Sequence, residues 1–250
     1  MLQSIPQTLH TSNQSVFSFP SLCVNTESIL YSNKAEGSQS YNYKKHSITM
    51  IMNKVIKYFK ANGGYARMTE IKEAGIHTST IKEMLEQGII ERVKPGLYRL
   101  FDIDPKADVN ISFIDICRAV PKGVICLISA IDHYKLSTFN PSDIYVAIPL
   151  SEKPPKIEYP PTKFYYFPVR FYKLGVETIH TKVGDVRIYN IEKTICDIFR
   201  YRDKLGEDIA IEALKNYLRR KDANLIKLRE YAILCQVKTV MMPYLKALVG

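Results

Sequence analysis

The residues best suited to a specific chemistry lie together at positions 78–83, where Thr78, Ser79 and Thr80 precede Lys82 and Glu83. At the start of a helix, hydroxyl groups and unpaired backbone N–H groups can bind phosphate. A lysine reaches a phosphate or a guanine edge, and a glutamate accepts a hydrogen bond from the amine of cytosine. These residue types in this order predict contacts with the backbone and the base edges of a nucleic acid.

Three further cations follow on a segment that reads as a β-hairpin. Arg92, Lys94 and Arg99 carry the charge, and Lys94 stands beside a Pro95-Gly96 turn at the hairpin tip. A basic hairpin next to a groove-binding helix usually lies along the DNA backbone or in the minor groove. We therefore expect these three side chains to contact DNA.

The spacing of apolar residues predicts the helices and strands that position the residues at 78–83 and the hairpin cations. Apolar side chains recur at helical spacing from residue 51, and Asn62-Gly63-Gly64 ends that helix. The next predicted elements are helices at 69–74 and 78–87, separated by a glycine turn, and strands at 89–93 and 97–100. Helix, helix, turn, helix and two-stranded ribbon is the order of a winged helix-turn-helix, whose third helix enters the major groove.

The rest of the chain reads as a second, mixed domain. Its predicted elements are helices at 111–119 and 124–134, strands at 144–148, 164–171 and 178–188, and terminal helices at 191–200, 207–219, 225–235 and 240–248. In the first of these terminal helices, Asn190 is predicted to be the N-cap, and Asp197 to hold a neighbouring segment by hydrogen bonds. The fold class is therefore predicted as α+β, with an N-terminal winged helix-turn-helix (50–101) and a mixed α/β domain that ends in a helical bundle (106–250).

Residues 1–46 differ from both predicted domains. They are rich in Ser, Asn, Gln and Thr and show no apolar periodicity. Such a composition buries too little surface to offset the entropy of ordering the chain. We expect this segment to be a disordered tail or non-native sequence that precedes the true start at Met50 or Met52.

Charge and composition narrow the class of partner. With 46% hydrophobic and 24% charged residues, the 250-residue chain is ordinary for a globular protein and is not fibrous. The net charge is +10, and residues 51–100 hold nine basic and five acidic residues, or +4, in a fifth of the length. This concentration favours a polyanionic partner for the predicted winged helix.

Location and redox state follow from what the sequence lacks. It contains no run of 18 apolar residues and no basic, signal-like start, so we expect no membrane association. Its five cysteines are odd in number and widely spaced, which indicates reduced thiols in a cytoplasmic protein.

Several segments of the sequence resemble a single protein family. The strings MTEIKEAGI (68–76) and IIERVKPGLY (89–98) resemble the N-terminal domain of AbiEi-family antitoxins. Residues 128–131 with 134–137 are similar to that family's "SAL…hgLt" element, 144–149 to its following strand, and 192–197 to its "ekTl.D" helix start. The resemblance covers roughly residues 50–248, in the family's order.

The resemblance implies a function that spacing alone does not show. AbiEi proteins are bacterial antitoxins of type IV toxin–antitoxin systems, whose winged helix binds inverted repeats in the promoter and represses the operon. Their C-terminal domain supports repression and counteracts a nucleotidyltransferase toxin without a stable complex. A member of this family would bind double-stranded operator DNA, use no cofactor and catalyse no reaction.

The motifs of several enzyme classes are missing from the sequence. The sequence has no phosphate-binding, dinucleotide-binding or zinc-protease motif, and its five histidines are scattered, so no catalytic or metal site is predicted. A metal-dependent nuclease would need a Glu-x-Lys after an acidic residue such as that of Pro141-Ser142-Asp143, and none follows. An orphan winged-helix regulator, or an adaptor that binds protein or RNA, remains the alternative.

A second basic cluster lies near the C-terminus. Its members are Lys215, Arg219, Arg220 and Lys221. Charge runs on terminal helices are usually solvated, but this cluster is also a possible second nucleic-acid surface.

Overall fold

The computed structural model describes residues 38–103 and 110–249, with side chains for residues 49–103 and 110–248. Residues 1–37 of the predicted tail lie outside the described residues. Helix α1 (Ser38–Ala61) begins within the last part of that segment.

The N-terminal part of the described chain, residues 38–100, has the predicted winged helix-turn-helix order. After α1 come β1 (Tyr65–Arg67), α2 (Met68–Glu73), α3 (Thr78–Glu86), β2 (Ile90–Lys94) and β3 (Leu97–Leu100). The three strands form an antiparallel sheet in the order β1-β3-β2, so the middle strand is the last in sequence. Sequence reasoning missed β1, because only its pairing with β3 makes that three-residue segment a strand.

A single hydrophobic cluster holds the three helices of this module together. Val55 and Phe59 of α1 are fully buried, and they pack with Ile71 of α2 and with Ile81 and Met84 of α3. The short connection between α2 and α3 depends on Gly75, whose φ of +72° is readily adopted only by glycine. The sequence pattern thus places one face of α3 in the core and leaves the other face outward.

The remaining elements form a mixed sheet with helices around it. They are α4 (Ile111–Ala119), β4 (Val124–Ile125), α5 (Leu127–His133), β5 (Ile144–Pro149), β6 (Thr162–Phe167), α6 (Val169–Tyr172), β7 (Val176–Thr181), β8 (Gly184–Tyr189), α7 (Ile191–Leu205), α8 (Glu207–Leu218), α9 (Leu225–Leu234) and α10 (Lys238–Val249). The sheet order is β6-β5-β4-β8-β7, in which β5–β6 and β4–β8 are parallel pairs. This architecture confirms the predicted α+β class. No helix in the described ranges is long and apolar enough to cross a membrane.

Two predicted elements of this region adopt a different secondary structure over part of their length. The helix predicted from residue 124 begins only at Leu127, because the β-branched Val124 and Ile125 pair with β5 as a strand. The strand predicted over 164–171 ends at Phe167, since Pro168 cannot donate to a ladder and the short helix α6 follows it.

The winged helix-turn-helix is joined to this region by a second hydrophobic cluster. Tyr65 of β1 and Val93 and Leu97 of the hairpin belong to the same cluster as Phe113 and Ile114 of α4. All five side chains are at most 3% exposed. The hairpin therefore forms part of the protein core on one side.

The start of α7 contains a buried ion pair. Asn190 is the N-cap, as predicted, and its side chain accepts a hydrogen bond from the Lys193 backbone N–H at 2.9 Å. The prediction that Asp197 holds a neighbouring segment is wrong. Its two carboxylate oxygens each lie 2.5 Å from Lys193 Nζ, and both side chains are fully buried. The lysine also lies over the rings of Phe167 and Tyr189, so the pair is enclosed by aromatic side chains.

We expect Asp197→Asn to lower the free energy of unfolding by about 3–5 kcal/mol, because the Lys193 ammonium would stay buried without its counter-ion. The measurement is urea unfolding followed by circular dichroism. The double variant Lys193→Met/Asp197→Leu should recover most of the loss, because replacing a whole buried pair with apolar side chains is often neutral. An unchanged midpoint in Asp197→Asn would contradict this account of the core.

Candidate nucleic-acid interface

The N-terminus of α3 is open to solvent. Thr78 and Ser79 are exposed and Thr80 is half-buried. The N-cap residue His77 makes no side-chain cap hydrogen bond, so no capping side chain occupies the first backbone N–H groups of the helix. Such a helix end carries partial positive charge and can accept an anion. The structure thus brings the three predicted hydroxyl groups together at one exposed helix end.

The outward face of α3 carries charges of both signs. Lys82 and Glu86 form an exposed ion pair, with Nζ and Oε1 3.8 Å apart. Glu83 is half-buried and accepts a hydrogen bond from Gln87 Nε2 at 3.3 Å. Exposed pairs of this kind contribute little to stability, so Lys82 can leave its partner at low cost. With one lysine and two glutamates, α3 is suited to read base edges more than to attract phosphates.

The hairpin cations face the C-terminal region. Arg92 Nη2 lies 3.0 Å from Glu158 Oε2, in the loop between β5 and β6. Lys94 Nζ donates a hydrogen bond of 2.7 Å to the carbonyl oxygen of Ala119, the last residue of α4. Burial lowers the pKa of Lys94, and the positive charge of Arg67 lowers it further. The sequence predicts that these two side chains contact DNA from the hairpin. In the structure, both instead bind groups of the C-terminal region.

Arg99 is a component of the core. Its residue is only 8% exposed, because β3 is the middle strand and both of its faces are covered. The guanidinium lies 3.2 Å from Asp115 of α4 and also pairs with Glu91. An arginine in this position cannot reach a phosphate, so the structure does not place Arg99 with the predicted DNA-binding residues.

Sequence reasoning missed the role of Asp115. This carboxylate is 1% exposed, and Tyr65 Oη donates a hydrogen bond of 2.8 Å to it. Burial raises the pKa of Asp115, while the Arg99 charge and the Tyr65 hydrogen bond oppose that rise. The sequence contained a signal for this role, since Asp115 is the one acidic residue in the mostly apolar helix ISFIDICRA. A buried carboxylate requires a cationic partner.

The C-terminal basic cluster is largely exposed. Lys215, Arg219 and Lys221 are open to solvent, whereas Arg220 pairs with Asp222 at 2.8 Å. The proposed role of this cluster as a second nucleic-acid surface stays a prediction.

The acidic residue considered for a nuclease is held by a lysine. Lys163 Nζ lies 2.8 Å from Asp143 Oδ2 and lowers the pKa of that carboxyl. Among the side chains that the structure describes, in residues 49–103 and 110–248, no group of three or more His, Cys, Asp or Glu could hold a metal ion.

Comparison with known families supports the interpretation of the N-terminal module. Residues 53–100 match a family model described as transcriptional regulator, AbiEi antitoxin. The matched range runs from α1 to the end of β3 and so contains α3 and the hairpin. Over these residues the resemblance found in the sequence is confirmed. A search among curated proteins gives no significant match.

The contrast between two hairpin arginines can be tested directly. We expect Arg99→Met to lower the free energy of unfolding by about 3–5 kcal/mol, because Asp115 would lose its buried cation. The matched variant Arg92→Met should cost about 0–1 kcal/mol, because its ion pair with Glu158 is solvent-exposed. Chemical denaturation of both variants is the measurement. Equal losses would show that Arg99 is not the buried anchor described above.

Proposed function

We propose that the protein is a DNA-binding antitoxin that represses transcription of its own operon through the winged helix-turn-helix. The main support is the open N-terminus of α3, with its exposed hydroxyl groups, in a segment that matches transcriptional regulators of the AbiEi type. The proposed operator is double-stranded DNA with inverted repeats, and α3 would enter its major groove.

The residues of α3 divide into two proposed roles. Thr78 and Thr80 would bind phosphate at the helix start, where backbone N–H groups add to the hydroxyl donors. Ser79, Lys82 and Glu83 would read base edges. Arg92 and Lys94 could reach DNA only after leaving Glu158 and Ala119, so we assign them a minor part, and Arg99 none.

The C-terminal region is proposed to carry the antitoxin activity. It would counteract a nucleotidyltransferase toxin in the bacterial cytoplasm, as part of a type IV system and without a stable complex with the toxin. The support is the similarity of the segments at 128–131, 134–137, 144–149 and 192–197 to AbiEi proteins, together with the antitoxin description of the family model that matches residues 53–100. We assign no catalytic residue to the protein.

Operator binding can be measured by fluorescence anisotropy with the protein's own promoter and a scrambled duplex. Lys82→Ala should weaken promoter binding by roughly 1–3 kcal/mol, and Ser79→Ala and Glu83→Gln should alter the preference among operator sequences. Lys173→Ala, at an exposed lysine in the C-terminal region, is the control and should change nothing. The repressor proposal fails if the wild-type protein at moderate salt binds its promoter no better than the scrambled duplex.

The antitoxin activity needs a separate experiment. Expression of a nucleotidyltransferase encoded beside this gene should arrest bacterial growth, and co-expression of this protein should relieve the arrest. The two proteins should not co-purify, because the proposed antagonism involves no stable complex. Persistent arrest would leave an orphan regulator as the better description.

A further inference from the structure

Helix α1 carries a row of cations on its outer surface. Lys54, Lys57 and Lys60, here called the lysine stripe, are all exposed and stand three residues apart. Side chains at this spacing share one side of a helix. The apolar residues of α1 that enter the core, Val55 and Phe59, lie on the other side.

The stripe has no internal partner among the side chains that the structure describes. Helix α1 contains no aspartate or glutamate. Within the described part of the chain, none of the three lysines takes part in an ion pair or a side-chain hydrogen bond. A group of unneutralised ammonium ions attracts a polyanion over about a Debye length, roughly 10 Å at 0.1 M salt.

The cations of α3 and of the hairpin are less available. Lys82 is the one lysine of α3, and it shares that helix with Glu83 and Glu86. Arg92 and Lys94 are bound to the C-terminal region through Glu158 and Ala119. In many winged helices the hairpin contacts the DNA backbone. Here its cations are bound within the protein, so phosphate contacts would come from another element.

The dimensions of the stripe suit a row of phosphates. Six residues of helix extend about 9 Å, and phosphates follow one another about every 3.4 Å along the axis of a DNA strand, so the stripe covers about two to three of them. Lysine is a flexible point charge that binds phosphate well and lacks the fork geometry that reads guanine in a bidentate manner. The stripe is therefore suited to affinity and not to sequence readout.

We propose that the lysine stripe of α1 binds the phosphate backbone of the duplex that α3 enters, and that it replaces the docked hairpin as the electrostatic contact. This inference rests on the proposed function, because it places both helices on the same DNA. The two helices pack on one hydrophobic cluster, so the stripe and the recognition surface belong to the same small module.

The test uses the full-length chain with a triple variant, Lys54→Gln/Lys57→Gln/Lys60→Gln. A matched variant, Lys173→Gln/Lys204→Gln/Lys246→Gln, removes three exposed charges from the C-terminal region at residues that have no proposed role in binding. Dissociation constants are measured by anisotropy for the promoter and for a scrambled duplex between about 50 and 200 mM salt. Circular dichroism during urea unfolding verifies that both variants fold as stably as the wild type.

The stripe variant should lose affinity roughly 10- to 100-fold at about 0.1 M salt, and the slope of log K against log salt should become shallower by about 2–3. The loss should be equal on both duplexes, so that the preference for the promoter is retained. The matched variant should keep the wild-type slope. A stripe variant with the wild-type slope, or a shallower slope in the matched variant alone, would overturn the inference.

The same measurements separate this inference from the proposed function. If the wild type prefers its promoter and the stripe variant keeps the wild-type slope, only the inference fails. If the wild type shows no preference but the stripe variant has a shallower slope, the repressor proposal fails and the stripe remains a DNA-binding surface. A wild-type protein that binds no duplex would reject both.

Discussion

The buried carboxylate of Asp115 is the constraint on which the attachment of the winged helix-turn-helix to the C-terminal region depends. A carboxylate removed from water needs a cation and hydrogen-bond donors. Here α4 supplies the acid, whereas Arg99 and Tyr65, which bind it, come from β3 and β1. The sheet of the winged helix-turn-helix is thereby joined to the C-terminal region by a polar contact of defined geometry, which supplements the apolar packing of Val93 and Leu97.

This attachment has consequences for function. Because β3 is anchored to α4, the neighbouring strand β2 brings Arg92 to Glu158 and Lys94 to the end of α4. The hairpin is then a structural joint, and its cations bind groups of the protein itself, Arg99 in the core and Arg92 at the surface. The open start of α3, which can read bases and bind phosphate, and the lysine stripe of α1, which can bind phosphate, are both exposed on the module. Sequence readout would thus come from α3, and most of the electrostatic affinity from α1.

Local sequence patterns predicted most elements of the winged helix-turn-helix. Apolar spacing and glycine turns located α2, α3 and the hairpin, and the asparagine before α7 marked its N-cap. What could not be predicted depends on contacts between distant residues. Arg99 reads as a surface charge until Asp115, sixteen positions later, is placed beside it, and β1 is too short to recognise without β3. Val124 and Ile125 form a strand only because β5 and β8 lie on either side.

The central claim is that α3 contacts DNA while the hairpin stays bound to the C-terminal region. The most direct measurement is an NMR titration of the isotope-labelled protein with its promoter duplex, followed through backbone amide signals. The account predicts shifts for residues 78–83 and for the α1 segment around Lys54 to Lys60, with the signals of Arg92, Lys94 and Arg99 nearly unchanged. Large shifts along the hairpin with an unperturbed α3 would contradict it.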